Sequence, residues 1–413
     1  MSRSGNYKKS RDSPQSIMKG IVFVVVALVL ELASPGEATT TPNLRLVSVV
    51  FRHGDRAPDN NGKELYPNDP YLNFEFYPMG LGGLTNEGKM REYSLGKALR
   101  ALYEDFLGNV YVPAALRARS TDYDRTKMSL QLVLSGLFPP NPDQTWNNNL
   151  PWQPIPTTYK PSASDVLLIP EECPQYLIEL HRVKHLPEIQ AKVARLNGFM
   201  ANLTQLTGKH MDDTNDLYYL YHSLMAEYSM GLRLPEWVYS IFPEGDLLDG
   251  INLEYEITNY NTALKRLNGG VLVRKISLDM VDVRNGKMDP KRKLYLYSGH
   301  ETNVAALLSA LGVYEPHVPQ YSSAVIIELM QWGAVYYVRV RYYKGIPAEV
   351  EDLLIPGCTM LCPLEKFLKL MRNVTPSDQE LYCEKPANLE DLFLDYHDPE
   401  VHMVHNDVHL ERN

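Results

Sequence analysis

The sequence has no excess of basic residues: 41 Lys and Arg stand against 50 Asp and Glu, for a formal net charge of −9. That composition excludes a general nucleic-acid binder, whose affinity comes from neutralising phosphates with cationic side chains. An anionic ligand must then be held by a local cationic pocket, because the field of the whole protein opposes it. Internal repeats and low-complexity segments are absent, and no apolar run reaches the roughly 20 residues of a membrane-spanning helix. With 44% hydrophobic and 22% charged residues, a disordered or fibrous chain is also excluded. What is present is a 413-residue globular composition, enough for two or three compact units at roughly 100–200 residues each. Tyrosine is plentiful at 27 residues, which suits a partly wet, aromatic-lined cleft.

Five basic residues (Arg3, Lys8, Lys9, Arg11, Lys19) precede an apolar run at 20–30, GIVFVVVALVL, stopped by Glu31. The run fits the h-region of a secretory signal and is too short to span a bilayer, which argues against an uncleaved anchor. Gly36 and Ala38 offer a cleavage site before Thr39, Ala33 offers another, and Met18 is a possible effective start. The mature protein reads as secreted, with the lysosomal lumen as the alternative. An even number of cysteines agrees with export: Cys173, Cys358, Cys362 and Cys383. Cys358 and Cys362 could form half of a zinc site, but no second Cys/His pair has matching spacing. A short-loop disulfide is the better reading, and it leaves Cys173 with Cys383. Sequons at Asn202 and Asn373 support the secretory route as glycosylation sites.

Residues 44–51 (LRLVSVVF) are a near-continuous apolar, β-branched run, as expected of a buried parallel strand. A helix is predicted from near Thr85, with Leu99, Leu102, Tyr103 and Phe106 on one face and Gly108 at its end. Arg119 lies at a strand-to-helix junction, with Ser120 as the expected N-cap of a helix running to Leu137. A second sheet-like run at 293–297 precedes Ser298-Gly299-His300-Glu301 and an apolar helix at 304–311. Residues 324–343 read as a β-hairpin turning at Gly333. These units predict an α/β core over 39–145 and 256–383, following a leader at 1–38. The stretch 146–255, poor in strand signals, reads as a smaller helical insertion. The tail 384–413 is acidic and carries four histidines, His397, His402, His405 and His409. Nothing fixes those histidines in a closed metal geometry, so the tail reads as solvated and no metal site is assigned.

The sequence Arg52-His53-Gly54-Asp55-Arg56 follows directly on the first strand, at the carboxyl edge where α/β sheets bind ligands. Two guanidiniums crowded on one tight loop are costly without an anion between them, and their planar forks suit phosphate oxygens. An imidazole between them is placed to attack the phosphorus they hold. A surface turn with Asp55 as partner would be the ordinary reading of this motif taken alone. His300 and Arg119 alter it, because both sit at similar junctions and can reach the same sheet edge. Three arginines and two histidines then form a coherent site for a phosphate dianion. Phosphoryl transfer asks chiefly for positioning and charge stabilisation, which this set supplies with no cofactor.

The ordered segments VVFRHGDRAP (49–58), RSTDYDRTKMS (119–129), LFPP (137–140), WQPIP (152–156), LNGGVLV (267–273), YSGHE (297–301) and IPGCTMLCPLEKF (355–367) resemble the histidine acid phosphatase family over about residues 44–383. The resemblance implies a doubly wound α/β fold, with a mostly parallel sheet flanked by helices and a smaller helical domain inserted. It implies a phosphate-monoester substrate, His53 as nucleophile forming a phosphohistidine, and Arg52, Arg56, Arg119 and His300 as phosphate-binding residues. It also implies the Cys173–Cys383 and Cys358–Cys362 pairs and a homodimer.

One position departs from the pattern. The family usually has His-Asp, the Asp donating a proton to the leaving group, where this chain has His300-Glu301. Glu301 has similar acidity but is one methylene longer, so its carboxyl must fold back to reach the same oxygen. Some related phosphatases use a Glu near this place, which favours an active enzyme with Glu301 as the acid. On the alternative reading Glu301 only caps the helix that follows. Two rival functions remain: a phospholigand-binding protein with weakened turnover, and a lipid-phosphate phosphatase whose aromatic insertion covers an acyl chain.

Overall fold

The structure, a computed structural model, describes residues 42–59, 62–345 and 347–381. The expected leader with its cleavage site, the His-containing tail and Cys383 lie outside these residues, so the Cys173–Cys383 bridge does too. Strand β1 (Asn43–Arg52) leads through a long loop to α1 (Asn86–Leu107), β2 (Leu116–Ser120), α2 (Asp124–Leu137) and the short β3 (Thr158–Tyr159). Seven helices follow: α3 (Pro174–Lys184), α4 (Pro187–Ala194), α5 (Asn197–Thr207), α6 (Thr214–Ser229), α7 (Asp246–Thr258), α8 (Thr262–Leu267) and α9 (Gly269–Arg284). The chain then returns to the sheet with β4 (Leu294–Gly299), α10 (Glu301–Leu311), the hairpin β5 (Ala324–Trp332) and β6 (Val335–Tyr343), β7 (Val350–Leu353), β8 (Cys362–Pro363) and α11 (Leu364–Met371).

The sheet order is β3-β2-β4-β1-β5-β6-β7, with β8 added beside β6. Pairing is parallel from β3 through β2 and β4 to β1. From β1 through β5 and β6 to β7 it is antiparallel. The sheet is therefore mixed where a mostly parallel one was expected. The cause is the hairpin that turns at Gly333 (φ 59°), because a tight turn can join only antiparallel strands.

Side chains of β1 divide by the two-residue period of a strand. Leu46 and Val50 enter one apolar layer with α9, α10 and α11, while Val47, Val49 and Phe51 enter the other with α1 and α2. Burial on both faces is why the sequence reads as a continuous apolar run. A third apolar cluster joins α5, α6 and α7 through Leu203, Leu220, Leu224 and Ile251, and it includes Ala305 of α10. The helical layer thereby rests against the helix that follows β4.

Local chemistry sets the ends of these elements. Thr85 caps α1, its hydroxyl accepting from the Gly88 amide at 3.0 Å. Ser120 does not cap α2. It pairs with Ser298 as the last residue of β2, so the helix starts at Asp124 with Tyr123 as N-cap. Cys358 and Cys362 form a disulfide just before α11. Asn202 on α5 and Asn373 after α11 are both exposed.

Candidate active site

Register places the chemistry-bearing residues along one edge. Arg52 ends β1 beside Gly299 of β4, and Arg119 lies beside Tyr297 on β4's other flank. The amide of His53 then donates to the Gly299 carbonyl at 3.0 Å, so His53 and His300 leave the sheet from adjacent strands. Their rings meet edge to face with centroids 5.5 Å apart.

The loop after β1 is pressed onto the start of α1. A Cβ on Gly54 would lie 2.5 Å from the Gly88 carbonyl oxygen, and one on Gly88 would lie 2.2 Å from the Asp55 carbonyl oxygen. Glycine is required at both positions for this approach. The Asp55 carboxylate accepts from Arg91 Nε at 2.7 Å, and its carbonyl accepts from the Thr85 amide at 2.9 Å. Asp55 thus fixes the loop from below.

His53 is 1% exposed. Its Nδ1 lies 2.8 Å from the Gly54 carbonyl oxygen. A carbonyl can only accept, so Nδ1 carries the proton and Nε2 keeps its lone pair. Burial, followed by the charges of Arg125 and Arg52, holds this imidazole well below its usual range. The ring therefore stays neutral and nucleophilic in acid.

Each nearby guanidinium has a carboxylate partner. Arg56 forms a bidentate pair with Glu64 at 2.8 and 2.6 Å. Arg119 pairs with the buried Asp165, and Arg125 pairs with Asp59 at 3.0 Å. Arg52 faces Glu301 at 3.4 Å, stacks on the Tyr321 ring at 4.0 Å and donates to the Pro319 carbonyl at 2.6 Å. Arg52 Nη2 and the Nε atoms of Arg56, Arg119 and Arg125 are buried with no hydrogen-bond partner among the described residues. Donors of that kind are costly unless an acceptor occupies the space they face.

His300 begins α10, its amide donating to Asn303 Oδ1 at 2.8 Å and its Nε2 lying 3.1 Å from the Thr121 hydroxyl. Burial first, then Arg125, pushes His300 down to about 3. Glu301 is buried, its Oε1 accepting from the Tyr218 hydroxyl at 2.5 Å. Burial would raise its proton affinity, but Arg52, then His222 and His300, and last the Tyr218 bond hold the carboxyl well below the usual carboxylate range. His222, 3.6 Å away, is pushed down to about 3, chiefly by burial, and faces Glu301 as a neutral ring.

Sequence reasoning did not single out Arg125, Asp165, Tyr218, His222 or Tyr321. Arg125 stands inside the 119–129 segment, six residues after Arg119, and two cations flanking one junction were its available signal. The others come from segments with no motif of their own.

This fold and this edge define a phosphate-handling α/β protein built around paired histidines, and the chain belongs to the histidine phosphatase superfamily (branch 2), which it matches over residues 43–343. It is 49% identical over 342 residues to the venom acid phosphatase Acph-1 of Apis mellifera, covering 83% of this chain and 88% of that one. It is 36% identical over 360 residues to the lysosomal acid phosphatase of Homo sapiens, covering 85% and 84%. Among solved structures, the phytase of Hafnia alvei in complex with myo-inositol hexakis sulphate is similar with a TM-score of 0.63, over 84% of this chain and 100% of that one. At 17% identity that likeness speaks to the fold alone.

Proposed function

We infer that this chain is an exported acid phosphatase that hydrolyses phosphate monoesters through a phosphohistidine at His53. The observation that carries the reading is a buried, neutral imidazole whose Nδ1 is tied to the Gly54 carbonyl, so that Nε2 keeps its lone pair, set among guanidiniums with buried N–H groups that lack acceptors among the described residues. A phosphate dianion supplies those acceptors. Arg52, Arg56, Arg119 and His300 hold its oxygens, and Arg125 adds a fifth positive or polar group at the same edge.

His53 Nε2 attacks phosphorus while the bond from phosphorus to the ester oxygen breaks. The leaving oxygen takes a proton from Glu301, which becomes a carboxylate. Water then attacks the phosphohistidine, giving its proton to Glu301 and its oxygen to phosphorus, and the P–N bond returns its electron pair to Nε2. For the first step Glu301 must be protonated. The bound dianion favours this, because it draws on Arg52 and weakens the charge that keeps the carboxyl ionised in the empty site.

The named venom and lysosomal relatives, the expected leader and the exposed sequons at Asn202 and Asn373 support export, with the lysosomal lumen as the alternative. Among the described residues no helix is long and apolar enough to cross a membrane. Homodimer formation, implied by the resemblance, is part of the same proposal and is checked by light scattering.

Rapid acid-free quenching with a labelled aryl phosphate tests the mechanism. Label should appear in an acid-labile, base-stable form on His53. Turnover without such label under burst conditions overturns it, and tight phosphate binding without turnover returns the chain to the binding-protein reading.

A further inference from the structure

Glu301 is one methylene longer than the family's usual Asp, and the structure shows where the extra length goes. The carboxylate is enclosed by two helices of the middle layer. From α6, Tyr218 donates to Oε1 at 2.5 Å and His222 Nε2 stands 3.6 Å from the same oxygen. From α7, the Tyr255 hydroxyl stands 3.4 Å from that His222 nitrogen. From β1, Arg52 faces the other oxygen at 3.4 Å, and His300 is its neighbour in the chain. His222 is 1% exposed, and its Nδ1 has no hydrogen-bond partner among the described residues. Rings of Tyr218 and His222 meet edge to face at 4.5 Å, which fixes both against one another.

We propose that Tyr218 and His222 are positioning residues that hold Glu301 toward the leaving-group side of the phosphate and stabilise the carboxylate formed when it gives up its proton. The inference rests on the acid role of Glu301 given above. In the first step the Glu301 O–H bond breaks, its proton goes to the ester oxygen, and the new negative charge on Oε1 is met by the Tyr218 O–H. A neutral His222, its Nε2 3.6 Å from the same oxygen and beyond hydrogen-bond length, offers an N–H dipole there, with the Tyr255 hydroxyl 3.4 Å from that nitrogen limiting where the ring can turn. One hydrogen bond from Tyr218 and the nearby His222 edge on one oxygen favour the ionised form, so they make Glu301 a readier proton donor than a buried carboxyl would otherwise be. The pattern also accounts for the pairing of an unusual Glu with an aromatic and imidazole face on α6: a shorter Asp at 301 would lose contact with that face.

The pH dependence of kcat separates this role from a merely structural one. Three substitutions remove or keep the donors: Tyr218→Phe, His222→Leu and His222→Gln, with Glu301→Gln as the reference. Substrates are an alkyl phosphate, which needs a proton on its leaving group, and an activated aryl phosphate, which does not. Losing a donor to a charged oxygen should move the alkaline limb for the alkyl ester upward by about one pH unit in Tyr218→Phe. His222→Leu should move it the same way by less, and His222→Gln, which restores an N–H donor, should return it toward wild type. The aryl limb should stay in place throughout. Unmoved alkyl limbs in both Tyr218→Phe and His222→Leu, while Glu301→Gln slows the alkyl ester selectively, overturn the positioning role and leave Glu301 as the acid. Equal slowing of both esters by Glu301→Gln overturns the acid role and this inference with it. Should His222→Leu fail to fold, Tyr218→Phe alone decides.

Discussion

The two histidine-bearing junctions are built in opposite ways. Between β1 and α1 the chain takes a long excursion, and the His53 loop is held by Arg91 on Asp55 and Ser129 on the Gly54 amide, both distant in sequence, and by Glu64 of the same loop on Arg56. Between β4 and α10 a single residue, His300, separates strand from helix, and its amide is held by Asn303 three positions on. The first junction draws its order chiefly from ion pairs, the second from a helix cap without ion pairs, its His300 ring meeting the Thr121 hydroxyl and its Asn303 tied to the Leu168 carbonyl. On the proposed mechanism His53 is the nucleophile and His300 a phosphate contact; a nucleophile that must stay in line tolerates less play, and the costlier construction surrounds His53.

Substitutions at the histidines give the largest test of that contrast. His53→Ala should remove the covalent route and lower kcat by at least on the order of 10⁴-fold. His300→Ala keeps the nucleophile and should lose roughly 10²-fold, as for one donor to developing charge. Equal losses in steady-state assays would erase the distinction. Next in size is Asp55→Ala, which leaves Arg91 only the longer, exposed contact with Glu87 at 3.5 Å. Breaking a fully buried pair costs about 3–5 kcal/mol, but Arg91 is 21% exposed and water can solvate it, so about 2 kcal/mol is expected in denaturant unfolding. Asn303→Ala, which unties the cap and the buried bond from Asn303 Nδ2 to the Leu168 carbonyl, should cost about 1.5 kcal/mol by the same measurement. A larger loss at Asn303 than at Asp55 would reverse the assignment of tertiary and local order.

Acid acts alike on the buried histidines of the junctions and of α6, and in the opposite sense on Glu227 of α6. His300 titrates at about 3 when folded and near 6.5 when unfolded. As pH falls below about 6.5 the unfolded chain takes up a proton that the folded chain refuses, so stability falls, and His222 behaves the same way. Glu227 of α6 is raised to about 9 by burial and then by Asp69. It keeps a proton that the unfolded chain releases, so its contribution is full below about 4.5 and is lost as pH rises toward 9. Thermal unfolding should therefore show stability rising from pH 9 downward, opposed below about 6.5. Glu227→Gln should flatten the alkaline slope, and an unchanged slope would show that Glu227 is ordinary in its ionisation.

Much of this was legible before the structure. β1, α1 with its Thr85 start and Gly108 end, the turn at Gly333 and the chemistry of Arg52 to Arg56 follow from short-range pattern, because strand period, caps and turns are local rules. The antiparallel half of the sheet was less visible, since whether a hairpin joins β1 or stands apart is decided by what β1 leaves unpaired. Ser120 was misplaced as a cap because nothing local signals that β4 would extend β2 by pairing Ser298. Tyr218, His222 and Asp165 were invisible for the same reason: their meaning comes from elements that meet them across many residues of chain.

The pairing of every cradle arginine with its own carboxylate has a consequence for how fast the site can clear itself. Inorganic phosphate is the product, and it closely resembles the group that was bound at the start. Bare guanidiniums would grip it and stall the next cycle. Glu301, Glu64, Asp165 and Asp59 already stand beside Arg52, Arg56, Arg119 and Arg125, so a departing phosphate leaves no cation without a counter-charge. On the proposed reading of the site, the acidic companions shorten the residence time of phosphate and the arginines lengthen it.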